Sequence, residues 1–547
     1  MSSIINSAMS GLSAAQAALS TTSNNISNYT VAGYSRQTIL LSQANSTLQG
    51  SNYYGNGVNV TGVQREYDDF ITAQLRGNSA NYSAVNSQYN QISNIDDLLS
   101  TTTTSLSDSI QSFFTNVQNV VSNADDPSAR QSMLSYAQGL VNQFQTTAQY
   151  LTSMQNSVNT DIKANVDQIN TYSGQIADLN TQIAKLTTGG GAAPNDLLDQ
   201  RDQLVNNLNS IVGVNVSKQD GNYIVAMGTT TLVNGGKTTT LTAMPSSSDA
   251  SRLTIGYVDQ QAGKVELPEK TLTTGALGGL LSFRSQDLDN AQNQLGQLAA
   301  AFTTSFNQVH STGYDSNGDT GNNFFNIGSP SVVNNTKNTS SATLTAAWSD
   351  TSALKASNYN VSYDGSSWSV TRLSDNAKLT PTMGTDASGN TTMSFDGVAL
   401  TVNGSANAKD SFLVKPVQDV ISGMSVAITS ESQIAAAAAP GGASDNRNAQ
   451  KLLNLQDAKL INGNATLSQG YASLVSTVGN KTKNLETAAA TQKGVVTQLT
   501  ERQQSVSGVN LDEEYANLNK YQQFYMANAQ VLQTASTIFN ALINIRG

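Results

Sequence analysis

The chain is 547 residues long, room for roughly three or four domains, and carries 28 Lys and Arg against 38 Asp and Glu, a net charge of −10. Charged residues make up only 12 %, no Lys/Arg run could neutralise a phosphate backbone, and no apolar run approaches the roughly 20 residues that span a bilayer, so nucleic acid and membrane insertion are set aside. The absence of cysteine removes disulfides, thiolate nucleophiles and cysteine zinc sites.

The start, MSSIINSAMSGLSAAQ, has no basic stretch ahead of an apolar core and is no Sec-type signal, so the chain either stays in the cytoplasm or leaves without a cleaved signal. Ile5, Leu12, Leu19 and Ile26 recur every seven residues, with Ala8, Ala15 and Thr22 between them. This coiled-coil seam predicts a helix about 33 Å long over 5–26. Gly33, Gly50, Gly55, Gly57 and Gly62 among Tyr, Val and Thr predict loops and short strands over 30–65. Residues 70–185 read as helix, clearest along Ile162, Val166, Ile169, Tyr172, Ile176, Leu179, Ile183 and Leu186, with a break and restart at Asp125-Asp126-Pro127.

Gly189-Gly190-Gly191 reads as a linker, followed by a helix carrying Leu197, Leu204, Leu208 and Ile211. From 213 to 272 the period changes to alternation, which predicts hairpin-like β structure. Helix returns at 276–310, with Leu288, Leu295, Leu298, Phe302 and Phe306 on one side. Residues 330–415 read as β around Trp348, Tyr363, Trp368, Phe395 and Phe412. The alanine run 435–439 and Pro440-Gly441-Gly442 read as a low-complexity connector, and helix resumes from Asn446 to the end. The last helix places Leu511, Tyr515, Leu518, Tyr525, Ala529, Leu532, Phe539 and Ile543 on one seam, and Phe524, Val531, Ala535, Ile538, Leu542 and Ile545 on a second. That face is wider than one partner helix covers, so it calls for several neighbours.

The fold class is therefore α+β and multidomain: paired N- and C-terminal helices form a coiled-coil layer, with β-rich outer domains inserted in discontinuous, hairpin-like nesting. The expected domains are 1–65 plus 505–547 (terminal coiled coil), 66–212 plus 276–328 plus 430–504 (long helices), 213–275 (β-rich) and 329–429 (outer β-rich).

Little in the chain suggests chemistry. The single histidine, His310, has no nucleophile elbow or cysteine to serve, and reads as structural at a helix C-terminus that favours its cationic form. Asp315, Asn317 and Asp319 open like a calcium loop, but position six is Thr320 and position twelve Asn326, so they read as a turn. Asp68-Asp69, Asp96-Asp97 and Glu513-Glu514 are adjacent on helices and point apart. No catalytic, cofactor or metal residue is assigned, and the protein is read as no enzyme. Arg36, Arg65 and Arg546 either pair with neighbouring subunits, at Asp512, Glu513 or Glu514, or are solvated surface charges.

Two segments at the chain ends carry a resemblance. Ser23-Asn24-Asn25-Ile26-Ser27-Asn28 with Gly33-Tyr34-Ser35-Arg36-Gln37 resembles the N-terminal signature of bacterial flagellar rod, hook and hook-associated proteins, and residues 511–545 resemble the matching C-terminal signature. Internal segments (LGGLLSFR at 277–284, NQVH at 307–310, NDLLDQRD at 195–202, DSFLV at 410–414, DNRN at 445–448) resemble the hook-associated protein 1 branch, which forms the hook–filament junction. The resemblance implies a secreted, extracellular flagellar part, exported unfolded through the flagellar type III system. Its implied partners are copies of itself, hook protein, a second junction protein, and an export chaperone on the C-terminal helix. It further implies terminal segments that order on assembly, and Asn24, Asn25, Gly33, Tyr34 and Arg36 as motif residues. Periodicity adds Ile5, Leu12, Leu19, Ile26, Leu518, Tyr525, Leu532, Phe539 and Ile543 as assembly residues. The competing reading is a secreted surface adhesin using an aromatic groove in its outer β domain.

Overall fold

The computed structural model describes residues 2–100, 105–189, 192–259, 261–442 and 444–546. Its helices are α1 (Ser2–Asn28), α2 (Asp69–Ser100), α3 (Leu106–Ser122), α4 (Pro127–Thr187), α5 (Asn195–Ile211), α6 (Gly275–Ser282), α7 (Asp289–His310), α8 (Arg447–Asn454), α9 (Leu467–Ser507) and α10 (Leu511–Arg546). The break at 123–126 has a local cause. The Asn123 N–H closes α3 on the Asn119 carbonyl at 3.0 Å, and Pro127 opens α4 while Asp126 accepts from the Ser128 N–H at 2.9 Å. Gly190 and Gly191 of the expected linker lie outside the described residues. The contacts divide the chain into two units: Met1–Ser83, Asp167–Thr240 and Ala490–Gly547 form the first, and Ala84–Val166 with Leu241–Ala489 the second.

In the first unit, β1 (Gln37–Gln43) leads into the small hairpin β2 (Thr47–Gln49) and β3 (Asn52–Tyr54), and β4 (Val58–Arg65) returns antiparallel to β1 with a bulge at Leu40/Leu41. Gly57, at φ +87°, lies against α1, where any Cβ would overlap Ser10. The meander β5 (Asn215–Gln219), β6 (Asn222–Met227), β7 (Thr230–Asn234) and β8 (Lys237–Thr238) follows α5, and β6 buries Tyr223, Val225 and Met227 by simple alternation.

In the second unit, β9 (Leu241–Pro245), β10 (Leu253–Asp259) and β11 (Gly263–Glu266) form a three-stranded antiparallel sheet. Helix over 276–310 is interrupted by a π-helical segment, Phe283–Leu288, that turns Arg284 inward. Phe113 and Phe114 of α3, Phe302 and Phe306 of α7, and Phe324 and Phe325 beyond it pack edge to face or tilted as one aromatic core. The outer domain packs two sheets face to face. After the short β12 (Phe325–Asn326) come β13 (Ser331–Asn334), β14 (Thr343–Trp348), β15 (Tyr359–Tyr363), β16 (Trp368–Arg372), β17 (Ala377–Leu379), β18 (Thr382–Thr385), β19 (Thr391–Phe395), β20 (Val398–Asn403) and β21 (Ser411–Lys415). One sheet runs β13-β21-β15-β16-β17 and the other β14-β20-β19-β18, sharing the core of Tyr359, Val361, Met393, Leu400 and Phe412; β22 (Ser425–Val426) pairs back to β12. Phe412 and Phe395 are buried as expected, Trp348 and Trp368 are partly buried against that core, and Tyr359 takes the central place that Tyr363 does not.

Two sequence expectations are corrected. The alanine run is no connector: Ala435, Ala436 and Ala437 are buried, and the Ala435 N–H donates to His310 Nε2 at 2.9 Å. His310 is structural but not cationic. Because Nε2 accepts, Nδ1 carries the proton and donates to the Asn322 carbonyl at 2.6 Å, and burial lowers its pKa. In the turn after α7, Asp315 Oδ1 accepts from the N–H groups of Asn317 and Asp319, so its carboxylate serves the loop backbone.

Candidate assembly surface at the chain ends

α1 and α10 pack antiparallel. Asn25, near the end of α1, meets Glu514 in the first turn of α10, and Gly11 meets Asn528; each pair lies 14 residues from the other along its helix. The interface between the helices uses the small side of the predicted α1 seam. Ala8, Ala15 and Thr22 are buried, whereas Ile5, Leu12, Leu19 and Ile26 are half-buried. On α10 the buried or half-buried residues are Leu511, Glu514, Asn517, Leu518, Tyr521, Asn528, Ala529, Leu532 and Ala535. This corrects the predicted seam: Tyr515 is exposed, and the buried place is taken by Glu514 beside it. Apolar content alone pointed to Tyr515, because a carboxylate is not expected inside unless it is paired.

Glu514 is paired. Arg36 Nε donates to Glu514 Oε1 at 2.8 Å, Arg36 Nη1 donates to Glu513 Oε2 at 2.8 Å, and Asn25 Nδ2 donates to Glu514 Oε2 at 3.2 Å. The Asn25 amide also brackets Gln37, donating to its carbonyl at 2.9 Å and accepting from its N–H at 3.0 Å, while Tyr34 Oη donates to Asn25 Oδ1 at 2.8 Å. Burial, with Asp199 and Glu514 nearby, pushes the Tyr34 hydroxyl up to about 12, so it remains a donor. The motif residues Asn25, Tyr34 and Arg36 are thus one polar latch joining the first and last helices. Asn24 is exposed and accepts from Asn28 Nδ2, and Gly33, at φ +83°, sits against Gln203, where a Cβ would crowd its side chain. Arg36 therefore meets Glu513 and Glu514 within its own chain; the Arg546 side chain and that of Ile545 lie outside the described residues.

A second charged cluster, which periodicity does not reveal, holds the latch loop from the other side. Asp199 accepts from the Ser35 N–H at 2.9 Å and from Arg65 Nη1 at 2.9 Å. Asp202 pairs with Arg65 at 2.8 Å and Arg76 at 2.9 Å, and accepts from Tyr223 Oη at 2.7 Å. Arg65 is thereby committed to Asp199 and Asp202, not to the acids at 512–514. Burial alone would raise the Asp202 carboxyl; Arg65 and Arg76 outweigh it and hold it below the usual range. The available signal was two acids three residues apart on α5, in a chain with few charges.

Among the described residues, much of the apolar surface of α10 is left uncovered. Tyr515, Phe524, Tyr525, Met526, Val531, Ile538, Phe539, Leu542 and Ile543 are all exposed, between 42 and 62 %. Part of this follows from register. Ser2 lies nine residues before Gly11, level with Thr537, nine after Asn528, so Ile538 to Ile543 run past the start of α1. Of the predicted assembly residues, Leu518 and Leu532 are half-buried in the pair, while Tyr525, Phe539 and Ile543 are open. Phe524, Val531, Ile538 and Leu542 recur at helical spacing along one flank of α10 with Tyr525, Phe539 and Ile543 beside them, and exposed apolar residues so arranged mark an interaction surface, whereas Tyr515 and Met526 lie on the far side of the helix.

Comparison with known proteins sets these ends in context. Residues 5–34 match the model of the flagella basal body rod protein, and 502–545 the flagellar basal body rod FlgEFG protein C-terminal model. Residues 92–325 match the helical domain of flagellar hook-associated protein FlgK, and 333–416 the D2-like domain of flagellar hook-associated protein 1. The flagellar hook-associated protein 1 of Escherichia coli K12 is 56 % identical over 552 residues, covering the whole of both chains. The chain belongs to the flagellar hook-associated protein 1 family. The Salmonella typhimurium member is 55 % identical over 558 residues, again over both whole chains, and the Bacillus subtilis member 26 % over 585. The solved structure of the flagellar hook junction protein FlgK from Burkholderia pseudomallei shares 30 % identity and superposes with a TM-score of 0.74, covering 80 % of this chain and all of that one. Membership of the hook-associated protein 1 family makes the protein a structural component of the bacterial flagellum. Among the described residues no helix is long and apolar enough to cross a membrane.

Proposed function

We propose that this protein forms the hook–filament junction layer, a ring or helical tier of its own copies placed between hook protein and a second junction protein, and adapts a curved hook to a stiff filament. The open apolar strip of α10, carried on a helix pair locked by Asn25, Arg36 and Glu514, is the observation that carries this reading. One chain leaves that strip wet, and neighbouring copies, through Ile5, Leu12, Leu19, Ile26, Leu518, Tyr525, Leu532, Phe539 and Ile543, are what would cover it. Before assembly an export chaperone on α10 would shield the same strip, and the chain would leave unfolded through the flagellar type III channel to an extracellular site. We assign 1–65 plus 505–547 to the tube-lining layer, 66–212 plus 276–328 plus 430–504 to a long-helix domain, and 213–275 and 329–429 to β-rich outer parts. The adhesin reading is less well supported, because the aromatics of the outer sandwich go into its own core. The test is Leu532→Asp in a chromosomal copy. The proposal expects folded β domains and no incorporation at the hook tip; normal filament growth would contradict it.

A further inference from the structure

We propose that the segment from Glu431 to Ala437 is an acid-sensitive strap: His310 takes up a proton only when the strap lets go of it, so protonation and local opening are one event. The strap lies within the second unit, on the chain's return from the outer sandwich to α8. Its side chains at 435–437 are methyl groups, so the core holds it by its backbone. Three buried polar side chains from three helices end there. Arg130 of α4 donates to the Ile434 carbonyl at 2.8 Å, Asn448 of α8 donates to the Ala435 carbonyl at 2.8 Å, and His310 at the end of α7 accepts from the Ala435 N–H at 2.9 Å. Ala437 and the Tyr314 backbone exchange two further bonds, at 2.8 and 3.1 Å. The seat is also tight: a Cβ on Gly321 would overlap the Ala435 methyl and the His310 carbonyl, and one on Gly313 would overlap Asn448. The strap is therefore either seated or out.

His310 is 0 % exposed, and both ring nitrogens are used, Nδ1 donating to the Asn322 carbonyl at 2.6 Å. A proton arriving at Nε2 would set donor against donor at the Ala435 N–H. The rings of Phe306 and Phe324 that flank the imidazole offer no acceptor in exchange. The charged groups around it are Asp315 on the turn after α7, Arg130 on α4, Glu431 on the strap and Asp125 before α4, while α8 presents the neutral Asn448. Asp315 favours the proton, but burial outweighs it and lowers the ring's pKa. Arg130, Asn448 and the Tyr314 backbone set how costly opening is. They leave its pH dependence to His310, because an arginine, an amide and peptide groups keep their charge between pH 5 and 8. Acid thus loosens one join between sandwich and helices while both stay folded.

The test is hydrogen exchange of the full chain, read at 431–437 and corrected for the intrinsic rate at each pH. From pH 7.5 to 5 the strap's protection should fall about thirtyfold, the linkage of one group at 6.5 that is uncharged when seated and free to protonate when open. At both values the strap should exchange faster than the paired strands β15 and β21, as a local opening does. His310→Gln keeps a donor and an acceptor without the titration, and its strap should lose the acid dependence. The chain's single histidine also gives one ring signal in NMR, which should titrate with a midpoint below 6.5, and this reading needs no variant. Strap protection that is unchanged by acid would overturn the proposal. So would the same fall in the His310→Gln chain, a strap no more exchangeable than β15 and β21, or a ring midpoint at or above 6.5.

Discussion

Glu514 and Asn25 lie 489 residues apart in sequence and share a buried hydrogen bond of 3.2 Å. That bond closes the chain on itself: the first helix ends where the last begins, and Arg36 adds a charge-assisted contact at 2.8 Å. Glu514→Ala should therefore cost about 1–3 kcal/mol in the first unit, because Asn25 and Arg36 lose an acceptor while Arg36 keeps Glu513 and some solvent. Glu513→Ala, with its side chain 57 % exposed, should cost less than about 0.5 kcal/mol. Urea unfolding of the two variants tests the contrast, and equal losses would refute it.

Asp287 accepts from Gln88 Nε2 at 2.7 Å in a buried setting. Burial raises its carboxyl from 3.8 to about 6, opposed by the Gln88 bond and the Lys481 charge. The fold thus prefers the neutral acid: this contribution is complete below pH 3.8 and is lost as pH rises through about 6. Asp287→Asn keeps the Gln88 bond without the charge, and should stabilise the second unit by about 1–3 kcal/mol at pH 7.5 with little gain at pH 4. Denaturant midpoints at the two values check the sign.

His310 behaves in the opposite way. Its buried neutral ring donates to Asn322 and accepts from Ala435, and its pKa is lowered from 6.5. Its contribution is present above 6.5 and lost as pH falls below that value towards the lower folded pKa. His310→Leu should cost about 2–4 kcal/mol at pH 7.5 by stranding the Asn322 carbonyl and the Ala435 N–H, and should flatten the acid limb of the stability profile. Thermal unfolding from pH 5 to 8 reads both effects.

Phe539 and Ile543 are about half exposed in the single chain. Phe539→Asp and Ile543→Asp should leave monomer stability within about 0.5 kcal/mol, as open positions do. The account still expects both to block incorporation into the flagellum. Calorimetry of the free chain, together with immunolabelling of hook tips, separates the two effects.

The helices were legible because their signals are local: the heptads of α1 and α10, the restart at Pro127, the alternation of β6. The motif residues were legible as a resemblance, but not the use the fold makes of them. The inward turn of Glu514 was hidden because the sequence offered Arg36 to the acids at 512–514 only across subunits, and nothing around residue 514 points to Asn25 at the other end of the chain. The Asp199, Asp202, Arg65 and Arg76 cluster was hidden in the same way. It buries charge on a helix whose leucines drew attention to themselves, and only folding brings four residues from three elements together. The run at 435–439 was misread because alanine is cheap to place anywhere; its burial is decided by His310 and α8, not by its own sequence.

The most direct test of the central claim is electron microscopy of cells lacking this protein, with flagellin assayed in the medium. The account predicts hooks without filaments and flagellin lost to the medium, restored by the native chain and not by Leu532→Asp. Full-length filaments on cells lacking the protein would contradict it.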